Sequence, residues 1–266
     1  MKPTPTKVLA ADSRTAPAEV PASRRAAAPP GPLILAFGAH PDDIEFGCGG
    51  VIARETQAGH AAHFVVCSRG EAGTHGTPAQ RTQEAKKSAS LLGATLEFLE
   101  LGGDSHMEQK LAHTIAFAEI IRRVRPRIVL APTLVENQHP DHVIVGRMVR
   151  DAARLARYGG MTELKGLPSY AIEQLLFYAV TVEAEPADRA AALLMDVSAQ
   201  PVVAAWTAAM EAHASQAKTR RYVGLHLARA KMHGVRCGAG HAIQMFPNDP
   251  LVCASLATLG RAARQF

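Results

Sequence analysis

Two short segments of this 266-residue chain carry residue types that can do chemistry together. Ala39-His40-Pro41-Asp42-Asp43 comes after the apolar run Leu33-Ile34-Leu35-Ala36-Phe37-Gly38. His139-Pro140-Asp141-His142 comes after a second apolar run, Arg127-Ile128-Val129-Leu130-Ala131-Pro132. Two imidazoles and one carboxylate drawn from these segments meet the need of a catalytic zinc site, which uses three protein ligands and leaves a position open. The remaining Asp and His are then free for acid–base work. Either segment alone is a weak signal, because Asp-Asp is also a helix N-terminal pair and His-x-x-His arises readily by chance. Their joint presence is the strong observation.

The elements that must position them follow from pattern. Strands are predicted over 33–38, 62–67, 95–99, 127–131, 173–180 and 194–197. Helices are predicted over 44–58, 79–92, 109–124, 143–158 and 200–218, with Gly59, Gly93 and Gly159 as stops. Alternation of this kind predicts an α/β, Rossmann-like three-layer sandwich with a mostly parallel sheet. Both chemical segments would then open on the C-terminal edge of that sheet, where ligands of such folds collect. Gly47-Cys48-Gly49-Gly50 lies inside a predicted helix rather than at its start, so it reads as close helix packing and not as a dinucleotide loop. Segments 70–77 and 226–250 read as Gly- and His-bearing loops that could wall a pocket.

This pair of motifs resembles the LmbE-like, or PIG-L, family of metal-dependent deacetylases acting on N-acetylglucosamine-containing substrates. The resemblance extends to Arg69-Gly70-Glu71-Ala72-Gly73 with Arg81 and Glu84, to Arg125-Pro126, to Met195-Asp196-Val197-Ser198, and to His213 through Gln216, covering roughly residues 33 to 246. It implies His40, Asp43 and His142 as ligands of Zn²⁺, with Fe²⁺ the alternative. It implies Asp42 as the base, His139 as a protonated imidazole facing the oxyanion, and Asp141 as the group that orients His139 and keeps it charged. Arg81 and His241 are the implied substrate contacts. His241-Ala242-Ile243-Gln244 stands where many relatives have a tyrosine followed by a glutamate. Relatives often form trimers or hexamers, so a homo-oligomer is expected. The rivals are an Fe(II) oxygenase built on the same two-His, one-carboxylate set, and a carbohydrate-binding protein without catalysis.

Composition bounds the remainder. At 47% hydrophobic and 20% charged the chain can bury a sizeable core. The net charge of +5 sits largely in the first 30 residues, where Lys2, Lys7, Arg14, Arg24 and Arg25 face only Asp12 and Glu19. That placement gives no nucleic-acid surface. Residues 1–31 are an Ala/Pro-rich arm expected to be disordered, and 32–266 one domain. Cys48, Cys67, Cys237 and Cys253 show neither zinc-ribbon nor disulfide spacing. With no apolar stretch of membrane-spanning length, the expectation is a cytoplasmic enzyme with a small-molecule amino-sugar substrate and no membrane partner.

Overall fold

The structure is a computed structural model and describes residues 34–136, 138–187, 192–217, 221–258, 260 and 262. The expected arm over 1–31 lies outside these residues. Strand–helix alternation runs as β1 (Ile34–Gly38), α1 (Asp43–Gln57), β2 (Ala62–Val66), α2 (Pro78–Leu91), β3 (Thr95–Phe98), α3 (Leu111–Val124), β4 (Ile128–Pro132) and α4 (Pro140–Arg157). The second half holds β5 (Gln174–Tyr178), β6 (Leu193–Asp196), α5 (Gln200–Ala212), α6 (Ala214–Ala217), α7 (Tyr222–Cys237) and β7 (Ala242–Pro247).

One seven-stranded sheet has the order β3-β2-β1-β4-β5-β7-β6. The first five strands pair in parallel, and β7 runs antiparallel to both β5 and β6. Chain order reverses between β1 and β4, which pair directly with Ile34 opposite Ile128. A crevice forms at such a reversal because the connections leave in opposite directions. The predicted three-layer sandwich is therefore the observed one. One face of the sheet is covered mainly by α1, α5 and α7 and the other by α3 and α4, each over its own apolar cluster.

The glycines of α1 serve close packing. A Cβ at Gly47 would lie 2.1 Å from Tyr178 Cδ2, one at Gly49 would lie 2.7 Å from Trp206 Cδ1, and one at Gly50 would lie 2.8 Å from Ile243 Cδ1. Trp206 is fully buried there, and its ring N–H donates to the Glu45 carbonyl at 2.7 Å. Burying an indole of this kind contributes about 4–6 kcal/mol before ordering entropy is charged against it.

Three expectations are corrected. Segment 226–250 is not a loop: it contains most of α7 and all of β7. The fully buried positions of α7 are His226, Ala230, His233 and Gly234, which keep helical spacing without a large apolar side chain, while Tyr222, Val223 and Leu227 pack only partly buried beside them, so hydrophobic periodicity marks the helix weakly. The helix expected over 200–218 breaks at His213, and residues 218–220 lie outside the described set. Gly59 and Gly93 take positive φ after their helices, but α4 ends on Tyr158 in extended backbone and Gly159 is no left-handed stop.

Candidate metal centre

Each chemical segment sits where a strand gives way to a helix. Past β1 the chain turns so that Asp43 enters α1 as its first residue, and its Oδ2 accepts from the backbone N–H groups of Ala39 and His40 at 2.8 and 2.9 Å. Those two bonds fix the turn. Asp42 caps α1 with φ of 122°, a left-handed backbone value that costs a residue with a Cβ on the order of 1–3 kcal/mol. Past β4, His139 caps α4, Pro140 occupies the first helical position where its missing N–H is no loss, and His142 falls in the first turn. Two helix N-termini thus point at one place.

The geometry there fits a divalent ion. His40 Nδ1 lies 3.3 Å from His142 Nε2, His142 Nε2 lies 3.0 Å from Asp43 Oδ1, and His40 Nδ1 lies 3.6 Å from Asp43 Oδ2. Ligand atoms about 2.0–2.1 Å from a tetrahedral ion stand roughly 3.4 Å apart, so the three groups are spaced as such a site requires. All three residues are buried, with 2–6% exposure. Two buried ring nitrogens and a buried carboxylate converging on one point call for a proton or a cation between them.

Charge in this small volume is strongly perturbed. Burial opposes ionisation of Asp43, yet the imidazoles of His142 and His40 hold its carboxyl well below the usual range. Burial also opposes charging of His40, but Asp43, Asp104 and Asp141 together push its pKa well above the ordinary value. Asp42 is raised to about 6, chiefly by burial, with the Arg81 guanidinium 3.5 Å away pulling in the other direction. A carboxyl poised near neutrality beside the metal position, and not needed as a ligand, is what proton transfer requires.

His139 is the exposed member, with its side chain 39% accessible. Its Nδ1 accepts from the Asp141 backbone N–H at 3.3 Å, which leaves Nε2 as the protonated nitrogen of a neutral ring. Burial and the neighbouring His40 and His142 lower its pKa. The Asp141 carboxylate lies within 4.8 Å of a His139 ring nitrogen but makes no hydrogen bond to it among the described contacts. Its Oδ2 accepts from Ser105 N at 2.7 Å and lies 3.3 Å from His40 Nε2. Orientation of His139 by Asp141 therefore comes from the peptide, and the carboxylate acts on His40.

Asp104 is the member that motif reading missed. Its Oδ1 stands 3.2 Å from His40 Nε2, and that bond leads the effects that lower its carboxyl to about 2. Glu71 ties down the loop, since its Oε2 accepts from Asp104 N at 2.9 Å while Oε1 accepts from Arg69 N at 3.0 Å. The available signal was positional: Gly102-Gly103-Asp104-Ser105 follows β3, and β3 ends at the same sheet edge as β1 and β4.

Arg81 also belongs to the centre. It is 4% exposed, donates to the carbonyls of Pro41 (3.0 Å) and Gly70 (3.3 Å), and approaches Asp42 and Asp104 at 3.5 and 3.9 Å. Glu84, three residues along α2, forms no ion pair with Arg81 among the described contacts. Glu84 instead accepts from Ser215 N and Oγ at 3.0 and 2.6 Å. His241 is not brought into the cluster by any described contact; it precedes β7, where its backbone bonds to Ser198 Oγ and Val197 N.

Comparison with known proteins agrees with this geometry. A model of the GlcNAc-PI de-N-acetylase family, PIG-L, matches residues 35–153, which span β1 to α4 and hold every residue of the cluster. The chain is 30% identical over 161 residues to a diacetylchitobiose deacetylase of Thermococcus kodakarensis, covering 54% of this chain and 59% of that one. It is 31% identical over 138 residues to a 4-oxalmesaconate hydratase of Pseudomonas putida, covering 47% and 53%. These matches thus span between half and two thirds of each relative's length. The fold superposes on a conserved protein of Thermus thermophilus with a TM-score of 0.76 and 29% identity, over 86% of this chain and 99% of that one. Residues 35–153, which carry both strand-end motifs, thus match the PIG-L, or LmbE-like, deacetylase family, and the chain shares its doubly wound fold with the solved structure from Thermus thermophilus.

Proposed function

We propose that the protein is a metal-dependent hydrolase that removes the acetyl group from an N-acetylglucosamine-containing small molecule. The observation that carries this reading is a buried His-Asp-His set at ion-binding spacing with a further carboxylate, that of the partly buried Asp42, left over beside it. A divalent ion held by His40, Asp43 and His142, Zn²⁺ in this proposal, would polarise the acetamide carbonyl and acidify a water.

The chain's own groups supply the rest. Asp42 accepts a proton from the attacking water and returns it to the nitrogen as the C–N bond breaks, so the products are acetate and a free amine. Arg81, anchored on two backbone carbonyls, holds Asp42 in place. His139 donates from Nε2 to the oxygen on which negative charge develops, a contact that strengthens as the transition state forms. Because its Nδ1 is already an acceptor, it can do so as a neutral ring. A groove of about 380 Å³ lined by Glu71, Gly103, Asp104 and His106 opens beside Asp104 and offers room for the sugar.

The doubly wound sheet argues against the oxygenase rival, whose usual scaffold is a double-sheet jelly roll. Likeness to the hydratase supports a second reading, in which the same groups add water across a carbon–carbon double bond. One experiment separates the two. Purified protein is offered a panel of N-acetylglucosaminides and, separately, unsaturated dicarboxylic acids, with amine release read by fluorescamine and loss of conjugation read by absorbance. Amine release that is abolished by a chelator and restored by zinc supports deacetylation; loss of conjugation alone overturns it.

A further inference from the structure

We propose that the centre holds a second, weaker divalent-cation site on the other side of His40, formed by Asp104, Asp141 and His139. It rests on His40, Asp43 and His142 taking the first ion, and it concerns what remains when they have done so.

The His40 ring separates two sets of ligand atoms. Its Nδ1 faces His142 and Asp43, while its Nε2 faces Asp104 Oδ1 at 3.2 Å and Asp141 Oδ2 at 3.3 Å. A ring nitrogen carries at most one hydrogen, so two carboxylates share a single N–H. Their other donors are few. Ser105 gives its backbone N–H to Asp141 Oδ2 at 2.7 Å and its hydroxyl to Asp104 Oδ1 at 3.0 Å. Arg81 Nη1 stays 3.9 Å from Asp104 Oδ2. Negative charge is thus left over between Asp104 and Asp141, both of which are buried.

A third ligand is already in place. His139 Nε2 is 4.0 Å from Asp104 Oδ1, and the four atoms from His40, Asp104, His139 and Asp141 all lie within 4.8 Å of one another. Two carboxylate oxygens and one imidazole nitrogen are a donor set for Zn²⁺ or Mn²⁺. The exposed side of His139 gives an ion a route in and leaves room for waters to complete its shell. The site must be the weaker one. His40 has no lone pair to give at Nε2 while Nδ1 serves the first ion, and the His139 ring must move its proton to Nδ1 and give up its bond from Asp141 N.

Occupancy has a functional consequence. An ion on His139 Nε2 removes the donor assigned to the developing oxyanion, so excess metal should inhibit the same protein that one equivalent activates.

Equilibrium dialysis against zinc, followed by metal analysis, tests the proposal. Wild type should bind one ion at low free zinc and a second as free zinc is raised to millimolar, with inhibition following the second. Asp104→Asn should lose the second ion and keep the first, weakened by no more than about 10- to 100-fold, the usual effect of losing a carboxylate behind a metal-bound histidine. His139→Ala alters a half-exposed side chain outside the core and should lose the second ion in the same way, so a folding failure in Asp104→Asn does not end the test. Wild type that stops at one ion, or a second ion that persists in both variants and so belongs to surface histidines, overturns the proposal. The first ion is read separately through His142→Ala, which keeps failure of the primary metal site distinct from failure of the second.

Discussion

Gly47→Ala should damage both the fold and the centre, although alanine is the better helix former. In an open helix the substitution would stabilise by roughly 0.5–1 kcal/mol. At Gly47 the new methyl would lie 2.1 Å from Tyr178 Cδ2 and 2.6 Å from Cε2, where ordinary contact begins at 3.4 Å. The ring has no room to retreat, since Tyr178 is fully buried and its hydroxyl donates to the Phe37 carbonyl at 2.6 Å. Overpacking of a core costs about 1–3 kcal/mol, and a buried hydroxyl torn from its acceptor adds about 1–3 kcal/mol. Net of the helix gain, a loss of about 1–5 kcal/mol is expected, or roughly 2–20 °C in Tm for a domain of this size. If α1 shifts instead of the ring, Asp43 at its first turn moves away from His142 and metal affinity falls. Calorimetry and zinc binding on Gly47→Ala, Tyr178→Leu and the double variant provide the assay, with Gly159→Ala, which has open space around it, as control. The double variant should recover part of the sum of the single losses. Gly47→Ala within 2 °C of wild type, or strict additivity with Tyr178→Leu, would refute the packing account.

His142→Ala should abolish stoichiometric metal in protein purified without chelator; unchanged metal content would remove His142 from the site. Asp42→Asn should retain metal and lower kcat by about 10²- to 10⁴-fold, because an amide of the same shape accepts no proton, and near-wild-type turnover would exclude Asp42 as the base. His226, buried against Phe46 and held neutral with its pKa pushed down to about 3, binds a proton more readily in the unfolded chain. Its stabilising contribution is therefore fully present above about pH 6.5 and is lost progressively as pH falls toward 3, by at most about 2 kcal/mol between pH 6.5 and 5. Urea titrations should show wild type losing stability relative to His226→Leu as pH falls over that interval; a difference independent of pH would contradict the assignment.

Chemistry carried by neighbours in the chain was legible in the sequence. His40, Asp42, Asp43, His139, Asp141 and His142 lie at two strand-to-helix turns, so motif, turn and helix start coincide and the alternation around them predicts a common sheet edge. The packing role of the α1 glycines was legible for the same reason, since their place within the helix excluded a phosphate loop. Contacts between distant segments were decided only by the tertiary structure. Asp104 reaches His40 because β3 ends beside β2 on the shared edge and Glu71 fixes its loop, and nothing in Gly-Gly-Asp-Ser announces that partner. Arg81 was named by the resemblance, but its approach to Asp42 exists only because the Gly-rich turn at 70–73 admits its guanidinium. The Asp141 carboxylate takes its hydrogen bonds from Ser105, in another loop, and from His40 rather than from His139, its neighbour in the motif. α7 escaped detection because its fully buried positions are His, Ala, His and Gly, and the burial of His233 becomes tolerable only where Glu185, from a distant segment, receives it at 3.0 Å. Local spacing determines which groups are available, and long-range packing determines which of them meet, because a contact between distant segments leaves no period in either one.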